Sequence, residues 1–477
     1  MREKLFFRPE DGWTGDFIPY CEGNTFYLFY LKTTQPDVPF EDVGWHCVRT
    51  DDFVHFSPSE DMNIHGGTGS VIKVDGLYHL YYCDNDDPQA QYVCHAVSSD
   101  LRHWEKLPEY RFGAEGSPYE RVNFRDPHVF WHEGAGEYRM LLATRTAEEP
   151  TNRRGCTGQY ASDDLYHWRP LPPLYAPGID VGAHECPDIF RMGDWWYLTY
   201  STYTGFYATV YRMSRSPDGP WSIPLHETLD GRAFYAGKTA ARDGRRYLFG
   251  WDPSRQDKYY REWDPSGYPG QDYNVFDWGR NLVVHELVQR PDGTLYCGCP
   301  QSLEAAFGPS LESSADRLCG EWKPQPDHQT TGDGFSSLQL CGEMPACGCL
   351  DFTLRFTGDM RRCGIALHAD ARLDRAYYFT FDRQYGHVAF STAILQTDDG
   401  WRKFHPMVEL QRPLSLEPDR DYRVRIIHDG SMVVLYVDGQ TALSARMYDI
   451  SDGGIALFAL GAGTRFSEMR CRQIESR

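Results

Sequence analysis

Short apolar and aromatic runs alternate with polar turns along the chain, and the spacing of a long amphipathic helix is hard to find. Five runs in the first half read as strands: "TFYLFYL" (Thr25–Leu31), "LYHLYYC" (Leu77–Cys83), "EYRMLLATR" (Glu137–Arg145), "WWYLTYS" (Trp195–Ser201) and "RRYLFGW" (Arg245–Trp251). Aligned on Tyr27, Tyr78, Tyr138, Tyr197 and Tyr247, they recur at intervals of 51, 60, 59 and 50 residues. A period of that size is one propeller blade, so five units predict a five-bladed β-propeller over residues 1–300.

A second motif follows most of these runs: "TDDFVHFSP" from Thr50, "SSDLRHWEKL" from Ser98, "SDDLYHWRPL" from Ser162 and a degenerate "SPDGPWS" from Ser216. Each offers a turn-forming Asp and then an aromatic able to wedge between neighbouring sheets, which predicts a recurrent hairpin turn with no catalytic part. From about residue 300 the pattern changes. "AAFGPSLESSADRLCGEW" reads as a linker, and runs such as "CLDFTLRFTG", "CGIALHAD", "YRVRIIHDG" and "MVVLYVDG" between Gly and Asp turns predict a β-sandwich over residues 301–477. The fold class is therefore all-β.

Composition narrows the partners. With 15% aromatic residues, 44 Gly and 30 Pro, the chain suits short strands and tight turns. A formal charge of -20 argues against nucleic acid, whose binding depends on clustered Lys and Arg. The N-terminal "MREKLFFRPEDGWTGDF" has no apolar run of signal-peptide length and no stretch elsewhere approaches a membrane span, which leads us to expect a cytoplasmic protein with no membrane partner. Fourteen Cys are then expected to be reduced, and the one-residue spacing of Cys297/Cys299 and Cys347/Cys349 does not suit a zinc knuckle, so no metal and no cofactor is expected.

Candidate chemistry emerges from the same alignment. Asp16 stands 11 residues before Tyr27, Asp126 stands 12 before Tyr138 and Glu185 stands 12 before Tyr197, on segments that run beside a propeller axis. The same offset falls at Gly66, in the Gly-rich "HGGTGS" that also holds Gly69 and Ser70, and at Tyr235 in "FYAGKT". Three carboxylates converging on one mouth repel one another, and burial raises at least one pKa. Glycoside hydrolysis uses that division between a proton donor and a carboxylate that attacks or activates water. Trp13, Trp45, Trp195 and Trp196 could supply faces for sugar rings. Cys186 and His184 adjoin Glu185, but neighbours on an extended strand point to opposite faces, which disfavours a Cys-His pair; His184 is expected on the pocket or its rim.

At these residues the chain resembles glycoside hydrolase family 32, the invertases, inulinases and levanases. "FRDPHVFW" resembles the family's R-D-P motif, "ECPDIF" its E-C-P-D motif, and "GWTGDFIPY" stands where the family has W-M-N-D-P-N-G. "GWHCVRTDDFVHF", "FYAGKT" and "WGRNLVVHEL" match further segments in order, and "YRVRIIHDGSMVVLYVDGQTALSARMY" is similar to the family's C-terminal sandwich strands. The resemblance implies Asp16 as nucleophile, Glu185 as general acid/base and Asp126, beside Arg125, as transition-state stabiliser. It implies a retaining hydrolase of β-fructofuranosides, with a small carbohydrate as partner; Trp13, Trp45, Gly69, Ser70, Arg125, His184, Tyr235 and Lys238, in or beside these motifs, are the candidate substrate contacts. An inverting arabinanase-like or xylosidase-like enzyme, a fructosyltransferase and an inactive sugar-binding propeller are the alternatives. The chain departs from the family where Gly15 replaces an Asn, Phe17 and Ile18 replace Pro and Asn, Leu31 replaces a Gln, and Lys238 stands where Gln is common.

Overall fold

The computed structural model describes residues 5–34, 43–148, 150–204, 207–232, 234–255, 276–312, 315–325, 328–341, 343–394, 407–438 and 441–475. The chain divides into two compact units, one of Phe7–Pro253 with Trp278–Leu295, the other built mainly from Tyr296–Arg477.

The first unit is a five-bladed propeller of antiparallel sheets that follow one another along the chain. Their innermost strands are Trp13–Glu22, Gly67–Val74, Tyr119–His132, Glu185–Met192 and Tyr235–Arg242. Each touches the next, and the fifth touches the first, which closes the ring. Tyr27, Tyr78, Tyr138, Tyr197 and Tyr247 all lie on the second strands, so the period seen in the sequence is the blade. Four blades have four strands; the fourth has three, with isolated bridges at Ser222 and Thr228 replacing its outer strand, where the turn motif is degenerate.

The turn motif forms the same structure three times. Thr50, Ser98 and Ser162 accept from the N–H of Phe53, Leu101 and Leu165, while Asp52, Asp100 and Asp164 accept from the two following N–H groups and from the ring of His55, His103 or His167. Phe53, Leu101 and Leu165 are left-handed, a conformation this hydrogen bonding holds in place. The aromatic that follows packs between blades: Trp104 lies 6.0 Å from Phe29 of the preceding blade, and Trp168 lies 5.7 Å from Tyr81. Burial of such rings supplies the inter-blade cohesion that the sparse backbone contact between blades cannot.

The second unit holds two antiparallel sheets, a β-sandwich. One centres on Thr464–Ile474, Cys347–Phe356 and Tyr422–Asp429, the other on Gly454–Leu460, Arg362–Ala369 and Arg375–Asp382. Alternating burial along Leu350–Phe356 marks one apolar face. The segment expected as a linker instead contributes edge strands, Phe307–Ser310 against the last strand and Asp316–Cys319 against Phe335–Cys341. Short, polar edge strands lack the apolar alternation of central ones, which is why they read as a loop. No helix among the described residues is long and apolar enough to cross a membrane.

Candidate active site

Every innermost strand carries a bulge, near its start in four blades and in mid-strand in the third. Asp16 and Phe17 together oppose one residue of the next strand, as do Thr68 and Gly69, Asp126 and Pro127, Cys186 and Pro187, and Ala236 and Gly237. Asp16, Asp126, Cys186 and Ala236 are left-handed there, with φ of 45°, 57°, 49° and 54°. Non-glycine residues in this region cost about 1–2 kcal/mol each, and bulges of this kind re-aim side chains. The five bulges converge on the propeller axis.

This register corrects the counting of offsets from Tyr. The residues level with Asp16 and Asp126 are Thr68, Cys186 and Ala236, and Glu185 sits one position earlier, level with Gly15, Gly67, Arg125 and Tyr235. The first and fourth blades have equal hairpins and bulges at Asp16 and Cys186, 11 residues before the Tyr, whereas the offset of 12 belongs to the third blade with its longer hairpin. The outcome is chemically specific, because the early positions of the third and fifth blades both reach Glu185. Arg125 Nη2 donates to Glu185 Oε1 at 2.7 Å, and the Tyr235 hydroxyl donates to Oε2.

Asp16 is held in the same way. Trp251 Nε1 donates to its Oδ1 at 3.0 Å and the Thr68 hydroxyl donates to its Oδ2. Tyr235 and Trp251 are cross-strand partners in the fifth blade with ring centroids 5.3 Å apart, and Tyr207 stacks on Tyr235 at 4.0 Å. One aromatic pair thus anchors two carboxyl groups from different blades, a rigid arrangement because both rings are themselves packed. Asp126 Oδ2 accepts from the backbone N–H of Cys186 at 2.8 Å.

Asp16, Asp126, Glu185, Arg125, Tyr235 and Cys186 line one cavity of about 450 Å³, with Thr68, Trp251, Tyr203, Tyr207, Trp278, Leu31 and Val43 among its other walls. That size suits a mono- or oligosaccharide terminus. Burial raises Asp16 to about 6, with the Asp126 charge adding to the effect and the Thr68 and Trp251 donors opposing it. Burial likewise raises Asp126, against the pull of Arg125. The Cys186 thiol is pushed well up by burial and by Asp16 and Asp126, so it stays protonated and is no nucleophile.

Several expected contacts lie elsewhere. Trp45 is fully buried in the core between the first two blades, donating to the Gly67 carbonyl at 3.0 Å. Gly69 is pressed against the neighbouring strand, where an added Cβ would meet the Tyr81 carbonyl at 1.7 Å, and the buried Ser70 hydroxyl accepts from the N–H of Val129. His184 is fully buried, stacked on Tyr200 at 4.0 Å with Thr157 and Asp180 on its ring nitrogens, because it faces away from Glu185 on the chain entering the strand. Lys238 is buried behind the bulge and donates to the Pro187 carbonyl at 3.0 Å. Trp13 lies under the Arg280 guanidinium, 4.8 Å from its ring, outside the cavity. Conversely, Thr68 and Trp251 were missed. Trp251 had a signal, since it stands four residues after Tyr247 as Leu31 does after Tyr27.

A five-bladed propeller whose axial cavity gathers three carboxyl groups, each held by hydrogen-bond donors of the fold, defines a glycosidase of the carboxylate type. Residues 6–271 match the model of the glycosyl hydrolases family 32 N-terminal domain, and the chain belongs to that family. It is 27% identical to raffinose invertase of Escherichia coli over 93% of this chain and 89% of that protein. It is 30% identical to sucrose-6-phosphate hydrolase of Bacillus subtilis over 43% of this chain and 48% of that protein, so this match spans about half of each. Among solved structures it is similar to a sucrose-6-phosphate hydrolase from Lactobacillus gasseri (TM-score 0.71, 19% identity, 100% of this chain and 93% of that one). It is also similar to an exo-inulinase from Aspergillus awamori (TM-score 0.71, 17% identity, 100% and 98% covered).

Proposed function

We propose that this protein is a retaining glycoside hydrolase that removes terminal β-fructofuranosyl units from sucrose or fructo-oligosaccharides. The observation that carries the reading is the shared anchoring of Asp16 and Glu185 by the Trp251–Tyr235 pair beside Asp126 in one cavity. The names of the relatives, invertase and sucrose-6-phosphate hydrolase, support the substrate class.

In this reading Asp16 attacks the anomeric carbon as a carboxylate. Its oxygens are directed by Trp251 and Thr68, so little reorganisation is needed as its charge passes into the new bond. Glu185 protonates the departing oxygen, then takes a proton from the water that releases the covalent intermediate. Asp126, fixed by the Cys186 N–H, binds sugar hydroxyls and opposes the positive charge developing on the ring. Arg125, next to Asp126 in the chain, donates to Glu185 and holds that carboxyl group in place.

The test is release of free fructose from sucrose, inulin-type and levan-type oligosaccharides by wild type and Glu185→Gln. The variant is expected to lose at least about 10²-fold. Unchanged release would remove Glu185 from the acid role, and activity confined to arabinosides would replace the substrate.

A further inference from the structure

The cavity wall beside Asp16 is apolar and is assembled through a glycine. Gly15 is buried on the strand immediately before Asp16, and a Cβ placed on it would lie 2.4 Å from Cζ2 and 2.6 Å from Cε2 of Trp278. The indole therefore fills the space that any side chain at position 15 would need. Its placement is set by backbone contacts rather than by loose packing. Gly279 is left-handed at φ 73°, its absent Cβ facing the Thr14 carbonyl at 1.9 Å, and the Thr14 hydroxyl donates to the Arg280 carbonyl at 2.6 Å. Only a residue without a Cβ permits that approach.

Leu31, the cross-strand partner of Gly15, and Val43 complete this wall. All three side chains rest on the same buried cluster as Trp45 and Ile64, so the wall is backed by core. Asp126, Arg125 and Glu185 line the same cavity. A sugar hydroxyl turned toward Leu31 or Val43 would give up its hydrogen bonds to water without replacement, whereas a ring face of C–H groups loses nothing there.

We infer that Trp278, admitted by Gly15, is a specificity-determining residue that lays its ring against a carbon face of the bound sugar. The edge of the sugar nearest Asp16 is then read by shape, and its hydroxyls are directed to the carboxyl and guanidinium groups. This rests on Asp16 being the reacting carboxylate of a fructoside hydrolase.

A double-mutant cycle tests it, with kcat and KM on sucrose and a fructo-oligosaccharide and competition by free fructose. Trp278→Ala is expected to raise KM and the fructose inhibition constant about 10-fold, with Trp278→Phe staying within about threefold of wild type. Gly15→Ala in the wild-type background is expected to lower kcat/KM about 30-fold, because the new methyl displaces the ring, and to cost less than about threefold once Trp278 is Ala. Equal penalties for Gly15→Ala in both backgrounds, or a fructose inhibition constant unmoved by Trp278→Ala, overturn the inference. Should Gly15→Ala fail to fold, the Phe and Ala variants at 278 decide alone. A wild type inactive on every fructoside removes the functional reading and this inference together; an active wild type with an additive cycle removes this inference only.

Discussion

The propeller repeats aspartates in two places, at the outer turns and at the axial bulges, and the two sets are electrostatic opposites. At the turns, Asp100 is held well below the usual carboxylate range by the backbone N–H of His103, with the His103 ring and the N–H of Arg102 adding to it. Asp164 is lowered too, burial being outweighed by the His167 ring and by backbone N–H groups. At the bulges, burial and neighbouring carboxylates raise Asp16 and Asp126. Both sets adjoin left-handed backbone and both recur with the blade. Recurrence therefore marks architecture; what separates a turn from a reactive site is whether donors or burial dominates around the carboxyl group.

The largest expected effect breaks this contrast outright. Asp16→Asn should cost at least about 10³-fold in fructose release, while Asp100→Asn should stay within about twofold, both read as kcat/KM at one pH. Comparable losses at the two sites would show that the axial position confers nothing special.

The second prediction uses pH. With Asp16 raised to about 6, kcat/KM should fall as pH drops through about 6 and the carboxylate becomes protonated. Thr68→Ala removes a donor that favours the charged form, so the acid limb should move to higher pH. A limb that stayed in place, or moved to lower pH, would show that this hydroxyl does not stabilise the ionised form.

Stability should respond with opposite signs at the two sites. Asp16 has a folded-state pKa above its ordinary 3.8, so its contribution is fully present below about 3.8 and is lost as pH rises through about 6. Asp100 is depressed, so its contribution is present above about 3.8 and is lost as pH falls below that. Denaturant midpoints between pH 4 and 7 should show Asp16→Asn gaining relative to wild type toward neutral pH. The smallest effect is expected for Ser98→Ala, which removes the acceptor of the Leu101 N–H and should cost about 1 kcal/mol with activity unchanged.

Much of this was legible in one dimension. The Tyr-based period located all five second strands, because each blade must bury the same apolar stripe against its neighbours and so repeats the same pattern. The turn motif was legible for the same reason, since its Ser or Thr, Asp and following aromatic act within a few residues of one another. The acids were located to within one residue of the bulge positions; Glu185 stands one residue ahead of its bulge, which strand pairing resolves and counting from Tyr does not. Trp45, Ser70, His184 and Lys238 were expected at the site from their proximity to motifs, yet each is buried in packing or backbone support. Position near a motif does not say which face of a strand a side chain takes once a bulge has changed the alternation.

Blade number, turn chemistry and the identity of three axial acids follow from local pattern, because a repeated supersecondary unit states its own boundaries in its hydrophobic spacing. Which donors hold those acids does not. Thr68, Tyr235 and Trp251 come to Asp16 and Glu185 from other blades, and their contacts exist only once the ring has closed. Ionisation is decided at the same stage, since burial and the distance between charges are properties of the closed cavity and belong to no single segment of the chain.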